Sequence, residues 1–444
     1  MRLLTALALG CGAAATSSSG AATSVGASIS GGAATMAPWA HSWDTAGAAW
    51  WGDFGYSLLT QPQAEFIANN YFLASLEKCT GRGQGLPTEQ GIYQTAKQLK
   101  KINPNVKTTF YWHTGQAGIG CYSNNATFMS HPEWFLRDDN GNVVGHKDST
   151  HPAGEPRIDW TNKEAVDWWV SVPLAQDPEC KLIDGVLADG SGFESIPNIT
   201  MARLQTLYTA KLAMIAKLQA AFDKCGRGGV VFGNGLSEYD QSPTDPHSRR
   251  ILSAVKGVQN EHFAAFEQVD PATGDLRKDK VADALDNIEW AAALDGGRKQ
   301  VFCSFWAGPY VGFGKHGGPM YAKGVQPFPP NATTAEQNLG WKRALAKYLP
   351  FNLAAFLTVA RPNTWFTQAV WYADFQGFYP CPDAPTTCQM PDDFYGSYLK
   401  KPLGAPTGPR KKVGEYKWTR QFAHATVTVD LNGDFASNSG IVFH

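Results

Sequence analysis

Residues 183–190 read I-D-G-V-L-A-D-G, and how this stretch is read decides the fold. Val186, Leu187 and Ala188 lie between Gly185 and Gly190. The apolar run is too short for a helix and fits a buried strand. On a strand successive side chains point to opposite faces, so Asp184 and Asp189, five residues apart, cannot share one. Burying a carboxylate is costly unless it is paired or used, so each needs a reason to be there.

Working outward, strand-like and helix-like segments alternate. Strands are expected at residues 48–54, 71–77, 106–113, 183–190, 229–233, 255–261, 300–306 and 353–360. Ile92, Ala96 and Leu99 mark the face of one intervening helix, and Leu204, Leu207, Ile215, Leu218 and Phe222 that of another. Two S/T-x-x-E signatures, Thr161 to Glu164 and Thr333 to Glu336, each open a further helix. Between the third and fourth strands, an excursion over 114–159 carries Asp139-Asn140-Gly141, read as a hairpin turn rather than a calcium loop. Strands alternating with helices imply parallel pairing, and eight such units imply a closed (β/α)8 TIM barrel of the α/β class. The division expected is a signal peptide at 1–15, a Ser/Gly/Ala-rich linker at 16–44, the barrel at 45–375 and a small C-terminal β-rich extension at 376–444.

The net charge of -1 gives no basic footprint for nucleic acid or an anionic membrane. Arg2, the apolar run to Leu9 and Ala13-Ala14-Ala15 fit a secretory leader, hence a secreted, extracellular protein. No later run is long enough to span a membrane. Eight cysteines suit an exported chain. By fold position Cys79 and Cys121 both follow neighbouring strands, Cys180 and Cys225 both precede neighbouring strands, and Cys381 and Cys388 bracket a small loop; each pair is a candidate disulfide. Cys303, inside strand seven, is expected as a buried free thiol. With no C-x-x-C and scattered histidines, no metal site and no cofactor are expected. Fifteen Trp, fifteen Tyr and twenty-four Phe serve first as core, and secondly as platforms for amphipathic ligands such as sugars.

Barrel enzymes place their chemistry at the C-terminal ends of the strands. The polar residues expected there are Asp53, Glu77, His113, Asp189, Asn234 with Glu238 in its loop, Glu261, Trp306, and Arg361 with Asn363. Asp184 begins strand four, at the opposite end, and reads as structural. Asp189 and Glu261 lie one strand apart around the mouth and are the candidate catalytic pair for glycoside cleavage. The remaining eight are candidate substrate-binding residues, with Glu77 and Glu238 as rival acids.

H-P-E-W-F-L-R-D-D-N-G-N, I-D-W-T-N-K-E-A-V-D-W-W-V, I-D-G-V-L-A-D-G and G-V-Q-N-E-H-F occur in an order that resembles the poorly characterised "hypothetical glycosyl hydrolase" families, and distantly the retaining α-galactosidase group. The resemblance implies a glycoside hydrolase barrel with Asp189 as the strand-four carboxylate, and supports Glu261. The α-galactosidase group has aspartate on strand six, where this chain has glutamate. The activity expected is hydrolysis of O-glycosidic bonds of an oligo- or polysaccharide. The alternatives are a non-catalytic carbohydrate-binding barrel, or a polysaccharide lyase using Glu77, His113 and Arg361. Sugar, linkage and oligomeric state are left open.

Overall fold

The computed structural model describes residues 39–52, 57–116, 121–146, 155–236, 246–313, 319–321, 329, 331–369 and 398–444. The expected leader, most of the expected linker, Asp53, Glu238, Cys381 and Cys388 lie outside the described residues.

Eight strands form the barrel: β1 (Ala49–Gly52), β2 (Leu73–Leu76), β3 (Lys107–His113), β4 (Gly185–Asp189), β5 (Val230–Asn234), β6 (Gly257–Ala265), β7 (Gln300–Phe313) and β8 (Thr364–Ala369). Each runs parallel to the next. A parallel bridge between Ala48 and Phe366 closes the ring, with Phe366 N donating to Gly47 O at 2.7 Å. Helices follow the first seven strands in turn: α1 (Gln61–Asn70), α2 (Thr88–Ile102), α3 (Lys163–Ser171), α4 (Met201–Lys224), α5 (Pro246–Ala254), α6 (Lys278–Ala293) and α7 (Thr334–Val359). Thr333 and Glu336 form the expected capping box of α7. α3 is capped instead by Asn162, whose side chain accepts from Glu164 N and Ala165 N.

Strand parity builds the interior. Trp51, Tyr111, Leu187, Phe232, Phe302 and Trp365 point inward and form one layer. Trp39 joins it: its ring lies 5.8 Å from that of Phe232 and its carbonyl accepts from Gln300 Nε2 at 3.0 Å. The barrel interior therefore includes Trp39, ahead of the expected boundary at residue 45. β4 must start on glycine, because a Cβ at Gly185 would lie 2.0 Å from Val230 O. At this lower end Asp184 is buried and accepts from Lys100 Nζ at 2.6 Å and Thr108 N at 3.0 Å, with Lys107 Nζ at 3.5 Å. Its role is structural, as its position implied. Disulfides join Cys79 to Cys121 and Cys180 to Cys225, and Cys303 is a buried free thiol, all as expected. Around the Asp139-Asn140-Gly141 turn, Arg137 pairs antiparallel with Val143.

Strand eight departs from expectation. Residues 353–360 are not a strand; 353–359 are the last two turns of α7, and β8 follows at Thr364. The run L-A-A-F-L-T-V is apolar all round because this helix is covered on both sides, and a buried helix loses the periodicity that would reveal it. Its second cover is an antiparallel sheet of β9 (Lys411–Gly414), β10 (Lys417–Gln421), β11 (Ala425–Asp430) and β12 (Gly440–Phe443). Ala425, Val427 and Val429 alternate inward on β11, and Phe435 packs 4.7 Å from the Phe351 ring of α7. Arg420 Nη1 donates to Leu357 O at 3.0 Å and Ala360 O at 2.6 Å, satisfying carbonyls that the end of a helix leaves unpaired.

The shift of strand eight moves two candidate residues. Arg361 and Asn363 precede β8 and so lie at the lower end, opposite the expected site. Asn363 Nδ2 donates to Ala292 O at 2.9 Å and to Lys299 O; Arg361 O pairs with the His41 ring. They tie the bottom of the barrel together.

Candidate active site

Two residues above each inward-pointing core side chain, the same parity delivers polar groups at the mouth. Leu187 is followed by Asp189, Tyr111 by His113 and Phe232 by Asn234. β6 supplies Glu261, β7 supplies Trp306, and Glu77 stands just past β2.

Asn234 is the centre of this set. Its Nδ2 donates to Asp189 Oδ1 at 2.8 Å and to Glu261 Oε2 at 2.5 Å. One amide, with its two N–H bonds, therefore holds both carboxylates. Asp189 also accepts from Gly190 N at 2.7 Å and from the Tyr111 hydroxyl. Burial alone would raise the Asp189 pKa. The neighbouring His113, charged only below about pH 4, and Lys78, with the donors Tyr111 and Asn234, outweigh it and hold the carboxyl down to about 2. Burial, then the adjacent Asp189, push the Tyr111 hydroxyl well above its usual range, so it stays a donor.

A second carboxylate–lysine pair stands behind Tyr111. Glu77 is fully buried and accepts from Trp51 Nε1 at 2.6 Å and Lys78 Nζ at 2.9 Å. The Lys78 ammonium lies 4.4 Å from the Tyr111 ring centroid. Burial would lower its pKa, but Glu77, Asp189 and Glu261 together hold it above its usual value.

Glu261 sits on an irregular segment. Its strand breaks register with β7 after Asn260, and Ala264 and Phe266 take positive φ. Trp306 Nε1 donates to Glu261 O at 2.8 Å, and the Trp306 ring stacks on Tyr310 at 5.0 Å. His262 Nε2 lies 3.7 Å from Glu261 Oε1, and burial lowers that imidazole's pKa to about 3. An aromatic wall of His262, Phe266, Trp306 and Tyr310 thus flanks the second carboxylate.

The turn after β4 is pinned from below. Lys211, on α4, is buried; its Nζ donates to Gly190 O at 2.9 Å and Gly192 O at 2.7 Å and pairs with Glu194 at 3.3 Å. Arg157 closes the network on Glu194. Gly190 takes φ +66°, and a Cβ there would meet the His113 ring at 2.9 Å.

Of the residues picked from sequence, the fold gathers Glu77, His113, Asp189, Asn234, Glu261 and Trp306. It leaves Arg361 and Asn363 at the far end. Tyr111, Lys78, Lys211, Glu194 and Arg157 went unrecognised. Tyr111 was within reach, sharing the inward parity of His113 two residues on. Lys211 carries no signal, since the carbonyls that hold it belong to a distant turn. Among the described residues no cluster has the makings of a metal site.

Comparison with known proteins adds the following. Among solved structures, the type III pullulan hydrolase from Thermococcus kodakarensis is similar at 11% identity and TM-score 0.47, over 89% of this chain and 76% of that one. The cyclic alpha-maltosyl-(1→6)-maltose hydrolase from Arthrobacter globiformis is similar at 10% and 0.44, over 90% and 96%. The glycoside hydrolase domain of PelA from Pseudomonas aeruginosa is similar at 12% and 0.36, over 62% and 96%. No curated protein sequence matches. Residues 100–426 match the family described as Hypothetical glycosyl hydrolase family 15. That span takes in β3 to β8 and both carboxylates held by Asn234, and the chain belongs to this family of O-glycosyl bond hydrolases.

Proposed function

We propose that the protein is a secreted hydrolase of an oligo- or polysaccharide that works with retention, Asp189 as nucleophile and Glu261 as acid/base. The observation that carries this is the shared amide. Oxygens held at 2.8 and 2.5 Å by the two N–H bonds of one amide, ~120° apart, lie ~4.6 Å from each other, a close approach that favours the ~5–5.5 Å of retaining pairs over the ~6.5–9.5 Å of inverting ones. Two like charges this close disfavour double ionisation, so the pair keeps one proton. Asp189, with three donors, holds the negative charge.

In the first step Asp189 attacks the anomeric carbon while Glu261 gives its proton to the departing oxygen. In the second, Glu261 takes a proton from water, whose oxygen displaces Asp189 from the same carbon. Glu261 is thereby reprotonated and Asp189 freed. The two disulfides support an oxidising destination. The lyase alternative loses its charge neutraliser, since Arg361 lies at the other end of the barrel.

The test is Asp189→Asn and Glu261→Gln on a polysaccharide that the parent cleaves, with the anomer of the first product followed by NMR. Both variants should lose more than ~10³-fold in kcat. Near-full activity in either, or a product of inverted configuration, refutes the assignment.

A further inference from the structure

His113 is a half-buried histidine next to the proposed nucleophile: it is the register partner of Asp189 across β3 and β4. Its Nδ1 lies 3.0 Å from both Gly115 N and Gln116 N. Both are backbone donors, so Nδ1 must accept. The ring is then neutral and its single proton sits on Nε2. Protonating Nδ1 as well would set a third N–H against two others. The charged groups that face the ring are Asp189 and the Glu194–Arg157–Lys211 network, the carboxylates favouring a charged ring and the cations opposing it. Burial is the largest influence, and the imidazole pKa is lowered to about 4.

Nε2 is a committed donor with no hydrogen-bond partner among the described residues. It lies against Gly190, where a Cβ would stand 2.9 Å from it. His113 and Asp189 are paired on adjacent strands, whose backbones lie ~4.8 Å apart, so a sugar seated on Asp189 also comes within reach of the histidine. In retaining hydrolases the substituent at C2 is the position whose hydrogen bonds strengthen in the transition state.

We infer that His113 is a specificity residue that donates from Nε2 to an acceptor oxygen on C2 of the bound sugar. This rests on Asp189 being the nucleophile, and it narrows the substrate class. The sugar carries a hydroxyl or another oxygen acceptor at C2. A free 2-ammonium group would set N–H against N–H and is rejected.

Two measurements test this. The first needs no substrate. In the full-length protein labelled with ¹⁵N-histidine, the resonances lost in His113→Gln are those of His113. They should show the Nε2–H tautomer from pH 5 to 8, with no titration near 6.5. An Nδ1–H tautomer, or an imidazolium forming near pH 6.5, overturns the inference and leaves the roles of Asp189 and Glu261 untouched. The second uses 4-nitrophenyl hexosides and their 2-deoxy counterparts. His113→Phe should lower kcat/KM roughly ten- to hundred-fold on the 2-hydroxy substrates and less than about three-fold on the 2-deoxy ones. His113→Gln, which keeps a donor, should recover part of the loss. An equal loss on both series means that the histidine merely supports the fold, and overturns the inference.

Discussion

Replacing Asn234 by leucine removes the one amide that serves both carboxylates while keeping the volume. A hydrogen bond to a charged group is worth a net ~1.5–3 kcal/mol. At ~1.36 kcal/mol per pKa unit, losing it lifts the Asp189 carboxyl by ~1–2 units. Its pKa would move from about 2 to ~3–4. The sign is fixed: a depressed carboxylate pKa stabilises the fold above the unfolded value of ~3.9, and that stability is lost as pH falls towards the folded value. Urea unfolding at pH 6 should therefore show the variant less stable by ~1.5–3 kcal/mol, with the difference closing near pH 2. The same shift appears in catalysis. The acid limb of kcat/KM should move up by ~1–2 pH units, because Asp189, the proposed nucleophile, must be ionised. Meanwhile the two carboxyl groups lose their common donor, and at ~5 Å with an effective dielectric of ~20 two charges repel by ~3 kcal/mol. The pair should then ionise less readily still. An acid limb that stays in place, or moves down, refutes the shared-amide account of how Asp189 stays charged.

Two further outcomes follow from parts of the barrel away from the carboxylate pair. Asp184→Ala leaves Lys100 and Lys107 without their buried partner and should cost ~3–5 kcal/mol in urea unfolding. In the protein that remains folded kcat should be unchanged; a large fall in kcat would contradict the structural role of the lower end. The disulfide Cys79–Cys121 spans 42 residues and, by loop closure, contributes ~4 kcal/mol. Cys121→Ser should lose about that much, and should also lower kcat because Cys79 adjoins Lys78. Unaltered kcat at full folding would show that the β2 turn is held by other contacts.

Much of the barrel was legible because parallel strands covered on both faces read as apolar runs, and their polar ends stand out. Position at the C-terminal strand ends picked out Glu77, His113, Asp189, Asn234 and Glu261, and strand parity turns them to one inner face. Strand eight was misplaced for the opposite reason: α7 is covered by the barrel and by the C-terminal sheet, so its end looks like a strand. Arg361 and Asn363 were carried to the wrong end with it. The cysteine pairs Cys79–Cys121 and Cys180–Cys225 were readable once strand order fixed which loops are neighbours. What the sequence hid is cooperation. That Asn234 touches two carboxylates at once, or that Lys211 pins Gly190, depends on ångström-scale placement that no local pattern encodes.

Trp39 and the aromatic layer above it have a kinetic consequence. They floor the barrel interior, so among the described residues the carboxylate pair opens toward the mouth and not toward the lower end. Incoming water and the departing half of the substrate must share that single doorway. In the retaining mechanism proposed above, the covalent sugar waits while the leaving half clears the exit, and any other sugar in the queue competes with water for it. At high sugar concentration the enzyme should build longer chains as well as shorten them.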